Sequence, residues 1–208
     1  MRKGKIFNLP LVGRFAIVPD RHGAGDLASD AAFLTNLSVK VLDANGNERK
    51  VRDYFGSNVF QKLFYSALYR NKTVLDLGSG LVTHAGVRLL TQDTAVTAGA
   101  ATLSTMKYHG SGTGTTAATA LDTALQTAIG TTAVAGTLVN ADASPNATVL
   151  TVATITYTAA AAVTEWVLCN SATLAGATVW DHKVFAALNV AIGDSIQYSY
   201  TLTCNSGG

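Results

Sequence analysis

The side chains that most often carry chemistry are few and scattered in this sequence of 208 residues. The four histidines stand apart from one another: His22, His84, His109 and His182. Cys169 and Cys204 are the only cysteines. Because zinc sites are built from closely spaced His or Cys pairs, the sequence predicts no metal site and no bound cofactor. The cysteines are expected to be reduced core thiols, although a disulfide between them stays open.

Acidic residues near the histidines suggest catalysis only weakly. Asp181, His182 and Lys183 form a polar triplet between apolar strand residues, and we expect it to lie on a solvated face. Glu165 is a lone acid among apolar neighbours, and if it is buried we expect it to pair with a backbone amide or a base. The remaining acids of this region occupy turn or cap contexts: Asp122, Asp142 and Asp194. No carboxylate pair suited to general acid and base chemistry is predicted, and no catalytic residue is assigned.

Two glycine-rich segments could approach a phosphate or a nucleotide. Residues 73–80, TVLDLGSG, place Asp76, Gly78 and Gly80 after an apolar strand, which resembles motif I of S-adenosylmethionine methyltransferases. That enzyme class is kept as the alternative, but the residues after 91 lack the alternating helices of its parallel sheet. Residues 110–116, GSGTGTT, have no lysine after the glycines, so a structural turn is expected there.

Charge and composition change together near residue 91. Residues 1–90 hold 13 basic and 7 acidic side chains, a net charge of +6, whereas residues 91–208 hold 2 and 6, a net charge of −4. Alanine and threonine supply 49 of the last 118 residues. We therefore predict two parts, a basic module at 1–90 and an alanine- and threonine-rich module at 91–208. No run of residues is suited to a membrane span, and nothing identifies a nucleic-acid motif.

The first module is expected to contain an extended arm, a hairpin and a helix. Residues 2–18 mix basic and large apolar side chains without a helical period. Leu37, Val39 and Val41 alternate with polar residues, as in a half-buried strand, and Asn45-Gly46 predicts a hairpin turn. Val51 is expected on the return strand. Apolar residues at helical spacing predict a helix that Ser57 caps and that runs to about residue 68.

The second module reads as an antiparallel β-sandwich, of jelly-roll or immunoglobulin-like type. Ile196, Tyr198 and Tyr200 alternate with polar residues, and residues 148–158 are dense in β-branched side chains, with a bulge or burial on both faces expected. Further strands are expected at 102–108, 134–139, 164–170 and 179–185. Only residues 119–129 suggest a short helix, because Leu121, Leu125 and Ile129 are four apart. The predicted fold class is mainly β.

Four phrases in the second module together resemble a domain of tailed-bacteriophage virion proteins. They are residues 107–116 (KYHGSGTGTT), 121–127 (LDTALQT), 162–168 (AVTEWVL) and 180–196 (WDHKVFAALNVAIGDSI), and the likeness spans about residues 102–204. The resemblance implies a structural, non-enzymatic component of the head or tail, assembled in the host cytoplasm into the virion.

The expected role within the particle is that of a capsid decoration or cement protein. Its expected partners are the major capsid protein or other virion proteins and further copies of itself, with a tail or neck protein as the close alternative. The arm supplies the candidate interface residues, which combine positive charge with apolar surface: Arg2, Lys3, Lys5, Phe7, Leu9 and Phe15.

Overall fold

Two five-stranded antiparallel sheets form the chain's architecture, in a computed structural model that describes residues 33–55, 71–94, 103–143 and 146–205. Sheet A has the strand order β2-β1-β10-β7-β6, and sheet B has the order β3-β9-β8-β4-β5. The strands of sheet A are β1 (Phe33–Leu42), β2 (Val74–Gly78), β6 (Thr137–Ala143), β7 (Asn146–Thr156) and β10 (Ser195–Asn205). The strands of sheet B are β3 (Leu81–Val82), β4 (Tyr108–Gly112), β5 (Val134–Ala135), β8 (Ala161–Cys169) and β9 (Val179–Val190). The fold is therefore a β-sandwich, as the sequence predicts.

Helical structure is minor within the described residues. It comprises α1 (Val51–Tyr54), α2 (His84–Thr94) and a 3₁₀ turn at Leu103–Thr105. The predicted helix after Ser57, the extended arm at 2–18 and all six of its candidate interface residues lie outside the described residues.

The core lies between the sheets because alternate residues of the central strands point inward. Leu37, Val39 and Val41 of β1 are buried, as the alternation predicts, and they pack beside β10 in an unbroken antiparallel register. The inward face of sheet B contributes large side chains to the same cluster: Trp166, Leu168, Trp180 and Leu188. The two sheets therefore share one hydrophobic core.

The sandwich extends across the compositional boundary near residue 91. β1 and β2 belong to sheet A and β3 belongs to sheet B, although all three precede that boundary. Arg49 Nη1 also donates to Asp194 Oδ2 at 2.5 Å, which ties the hairpin after β1 to the turn before β10. The sandwich is thus not confined to residues 91–208, because a strand early in the chain completes the sheet around β10.

The hairpin prediction is confirmed at its turn and wrong at its return strand. Gly46 has a φ of 82°, and the Asp43 carboxylate accepts hydrogen bonds from the backbone amides of Asn45 and Asn47. Val51, expected on a strand, instead begins α1, after a single bridge between Leu42 and Glu48.

Three other expectations differ from the structure, and one is confirmed. The residues before Tyr108 form a 3₁₀ turn in place of a strand, and β4 begins where that strand was expected to end. The glycine-rich turn expected at 110–116 starts inside β4. Residues 119–129 form no helix, because the hydrogen bonds of Thr119 go to the Asp122 side chain. The expectation for β7, a bulge or burial on both faces, is confirmed in its second form, because the register is unbroken and the apolar side chains are partly buried on both faces.

Candidate functional site

A long loop, residues 113–133, joins β4 to β5 and is fixed to the outer face of sheet B. Trp166 of β8 points into the core, so its neighbour Glu165 points away from it toward the loop. The loop amide of Gly114 donates to Glu165 Oε2 at 3.1 Å, and those of Gln126 and Thr127 donate to the same carboxylate at 2.5 and 3.3 Å. Glu165 has no solvent-exposed surface. Its carboxylate is therefore the anchor around which the loop is arranged.

His182 joins the same anchor to a second carboxylate. Its Nε2 lies 2.9 Å from Glu165 Oε1, and its Nδ1 lies 2.5 Å from Asp122 Oδ2. A carboxylate at each ring nitrogen is satisfied when both nitrogens carry a proton, so this geometry fits an imidazolium ring between two anions. The Asp122–His182–Glu165 cluster thus connects the loop to β8 and β9 through charge-assisted hydrogen bonds.

Asp122 is preorganised by its own loop. The amide and hydroxyl of Thr119 both donate to its carboxylate, at 2.8 and 2.6 Å. Partial burial raises the pKa of Asp122, but the hydrogen bonds from Thr119 and His182 outweigh it and hold the pKa below its ordinary value. The predicted turn or cap context of Asp122 is confirmed. The expected pairing of Glu165 with a backbone amide or a base is confirmed on both counts.

The polar triplet at 181–183 does not lie on a solvated face, so that expectation is wrong. Asp181 and His182 are both fully buried. A register shift between Leu168 and Cys169 leaves Trp180 without a partner on β8, and Asp181 follows it directly. The sequence does not reveal the partners that His182 has in the interior, because Asp122 and Glu165 are distant from it along the chain.

Asp181 differs from His182 in having no hydrogen bond of normal geometry, although the hydroxyls of Tyr200 and Thr35 lie near its carboxylate and act to lower its pKa. Burial outweighs these hydroxyls and the nearby charge of Lys183 and raises the pKa of Asp181 to about 6. Gly80 lies so close that a side-chain carbon at this position would overlap the Asp181 carboxylate. Gly78 has a φ of 73° and donates its amide to Asp76 Oδ1. The glycines of the methyltransferase-like segment therefore serve a turn and a close contact.

A second polar cluster crosses the core between the sheets. Trp166 Nε1 donates to His109 Nδ1 at 3.2 Å, so the proton of neutral His109 lies on Nε2, which is 3.1 Å from Thr151 Oγ1. Burial lowers the pKa of His109 to about 3, which keeps the ring neutral. The hydroxyl of Tyr157 is hydrogen-bonded to Ser111 Oγ at 3.1 Å and to the hydroxyl of Tyr198 at 3.0 Å. These groups satisfy one another inside the core.

A shallow surface cavity of about 390 Å³ opens beside His182. Ser79, Leu81, Thr115 and Lys183 contribute to its walls. The Lys183 ammonium already donates to the backbone oxygen of Ser79, and both ring nitrogens of His182 are occupied. The charged groups that border the cavity thus have internal partners.

Among the described residues, no group of three or more His, Cys, Asp or Glu side chains is arranged so that it could hold a metal ion. Cys169 and Cys204 are free thiols, as expected, with Cys169 buried. Within the same residues, no helix is long and apolar enough to cross a membrane.

One of the two edges of sheet A, β6, is exposed among the described residues. β6 is hydrogen-bonded to β7 on one side and ends the sheet on the other. Its residues 137–141 are all exposed, including Leu138 at 39% and Val139 at 52%. An exposed strand edge offers unpaired backbone donors and acceptors to another chain.

Comparisons with family models, with curated proteins and with solved structures return no match to this chain.

Proposed function

We propose that this chain is a non-enzymatic structural component of a tailed-phage particle. Within the particle, we propose that it is a capsid decoration or cement protein, which binds neighbouring subunits through its N-terminal arm and the edges of its sandwich. The sequence phrases that resemble virion proteins support the first statement, and the surface of the sandwich supports the second.

The observation that carries the proposal is the contrast between the interior and the edge of the sandwich. Glu165 and His182 are fully buried, Asp122 is partly buried, and all three are engaged with one another or with backbone amides. The edge strand β6 instead presents uncharged, exposed side chains over residues 137–141. Such a protein is suited to binding through its surface, with affinity drawn from apolar burial and strand pairing.

The distribution of charge supports a role for the arm. The net charge of +6 in residues 1–90 and of −4 in residues 91–208 allows the arm of one subunit to approach an acidic surface on another. Arg2, Lys3 and Lys5 would provide the charge, and Phe7, Leu9 and Phe15 the apolar contacts.

Particle incorporation tests this proposal. Particles assembled with tagged full-length chain should carry the tag in stoichiometric amounts, and a low-resolution image of labelled particles should place it on the head. A chain lacking residues 1–18 should fold but no longer join particles. Replacement of Lys40, a partly exposed basic residue of the sandwich, by alanine is the matched control and should leave incorporation unchanged. Label on the tail or neck would show a tail or neck protein in place of a decoration protein. Absence of the chain from particles would refute the structural role.

The methyltransferase alternative has its own test. β2, which contains Asp76, pairs antiparallel with β1 in a sandwich, and the described strands form no parallel sheet. Titration of the purified chain with S-adenosylmethionine in a calorimeter should therefore give no saturable heat. Saturable binding at micromolar concentration would contradict the non-enzymatic proposal.

A further inference from the structure

The edges of the two sheets are not equally protected. β3 and β5, the edges of sheet B, pair over only two residues each. β2, one edge of sheet A, is five residues long and carries the exposed charge of Asp76. β6 is seven residues long, pairs with β7 without a register shift and has no charged residue from 137 to 141. Short edges and edge charges are features that block pairing between chains. β6 is the longest of the four edges in the described sheets, and its one charged residue, Asp142, lies next to the end of the strand, so residues 137–141 lack both features.

We propose that β6 is a self-association edge, on which the β6 strand of a second copy of this chain pairs in antiparallel register around Asn140. A two-fold axis through this pair places Asn140 opposite its own copy, Val139 opposite Ala141 and Leu138 opposite Asp142. The two five-stranded A sheets then form one continuous ten-stranded sheet across the dimer.

The sequence of β6 is complementary to itself in this register. No like charges face each other, because Asp142 lies opposite Leu138. Val139 and Ala141 lie on the same face of the strand, so the two copies bring four small apolar side chains together there. Val139 is 52% exposed in the single chain and its partner on β7, Leu150, is only partly buried. The dimer therefore covers an apolar patch that the single chain leaves in water.

The identity of the occupant follows from the charge of the strand. A basic segment would be favoured by several acidic residues along the edge, but β6 carries only Asp142, next to its end, and residues 137–141 are uncharged. A second β6 strand needs no such complement, since it matches the edge in length, polarity and hydrogen-bonding pattern.

A charge exchange at Asn140 tests the register directly. Sedimentation velocity on the purified full chain should show a concentration-dependent dimer. Asn140→Lys and Asn140→Asp each place two like charges face to face, so each variant alone should be monomeric. An equimolar mixture of the two should restore the dimer, because opposite charges then meet. Thr137→Lys is the matched control: it adds the same charge to the same strand, but opposite Ala143, and should leave the dimer intact.

Cross-linking provides a second measurement that does not depend on repulsion. Asn140→Cys should form a disulfide-linked dimer on oxidation, since directly opposed residues lie within the distance that a disulfide spans. Thr137→Cys should not form one, because position 137 is far from its own copy in this register. Unchanged circular dichroism spectra would show that the variants are folded.

Three results would overturn the proposal: a monomeric wild-type chain at every concentration, a mixture that fails to restore the dimer, or an Asn140→Asp variant that associates more strongly than wild type. The last result would indicate a basic segment on the edge in place of a second β6 strand. The test needs only the purified chain, so its failure is distinct from failure of the particle role.

Discussion

Among the described residues, Asp181 holds the only fully buried side-chain oxygens that lack a hydrogen-bond partner. Burial raises its pKa to about 6, compared with 3.8 when it is exposed to water. The folded chain therefore binds this proton more tightly than the unfolded chain does. The stabilisation that this bound proton gives the folded chain is fully present below about pH 4 and is lost as pH rises through about 6.

Asp181→Asn should stabilise the chain at neutral pH, because the amide removes the cost of burying a charge that Tyr200, Thr35 and Lys183 only partly offset. The difference between about 6 and 3.8 corresponds to a gain of up to about 3 kcal/mol at pH 7, shrinking toward zero near pH 4. Urea unfolding of both chains across this pH range measures the gain. Asp53→Asn, at an exposed acid, is the control and should change little at either pH. A variant that is less stable than wild type at pH 7 would show that the Asp181 charge has a stabilising partner.

At the scale of elements, the loop at 113–133 depends on one side chain of β8. Glu165→Gln keeps the size of the side chain but removes its charge and places an amide group among donors from Gly114, Gln126, Thr127 and His182. We expect a loss of about 3 to 5 kcal/mol, since a buried ionic cluster loses one partner while the other stays buried.

Hydrogen exchange measures where that loss falls. In the Glu165→Gln variant, the amides of Gly114, Gln126 and Thr127 should exchange much faster, whereas amides in the centre of β10 should change only through global stability. Glu48→Gln, which breaks an exposed ion pair with Lys40, is the matched control and should leave the loop unchanged. Equal protection of the loop in wild type and Glu165→Gln would show that other contacts hold it.

The same elements show which parts of the structure the sequence could predict. β1 and β10 were predicted because each buries one face, so their apolar residues recur with a period of two. β4 was not predicted, because its residues Gly110, Ser111 and Gly112 show no alternation of apolar and polar side chains. The spacing of Leu121 and Leu125 imitates a helix, yet Leu121 is 80% exposed in the loop.

The candidate site was predicted only in its local features. The turn around Asp122 depends on Thr119, three residues away, and is visible in the sequence. The cluster with His182 and Glu165 depends on two contacts across the outer face of sheet B, 60 and 17 residues apart along the chain. Because periodicity and turn chemistry report neighbours along the chain, neither can reveal such partners.

At the scale of the whole molecule, composition and topology divide the chain differently. The change near residue 91 separates basic from acidic sequence, but the sheets combine strands from both sides of it. β10, the last strand, lies between β1 and β7. The last strand of the chain therefore needs an early one to complete its pairing, which gives the fold many contacts between residues distant in sequence.

Residues 91–208 alone should therefore fail to fold. The fragment lacks β1, which pairs with β10 from Phe33 to Leu42, and it lacks at least eight buried core side chains: Leu37, Val39, Val41, Val51, Tyr54, Phe55, Leu75 and Leu89. Each such side chain contributes about 1.5 to 3 kcal/mol on burial, so their combined loss is comparable to or larger than the roughly 5 to 15 kcal/mol of net stability that a domain has. Near-ultraviolet circular dichroism should show no fixed aromatic environment in the fragment, whereas residues 19–208 should give the full-length spectrum. A cooperative thermal transition in the isolated 91–208 fragment would instead establish that its strands form a sandwich without β1.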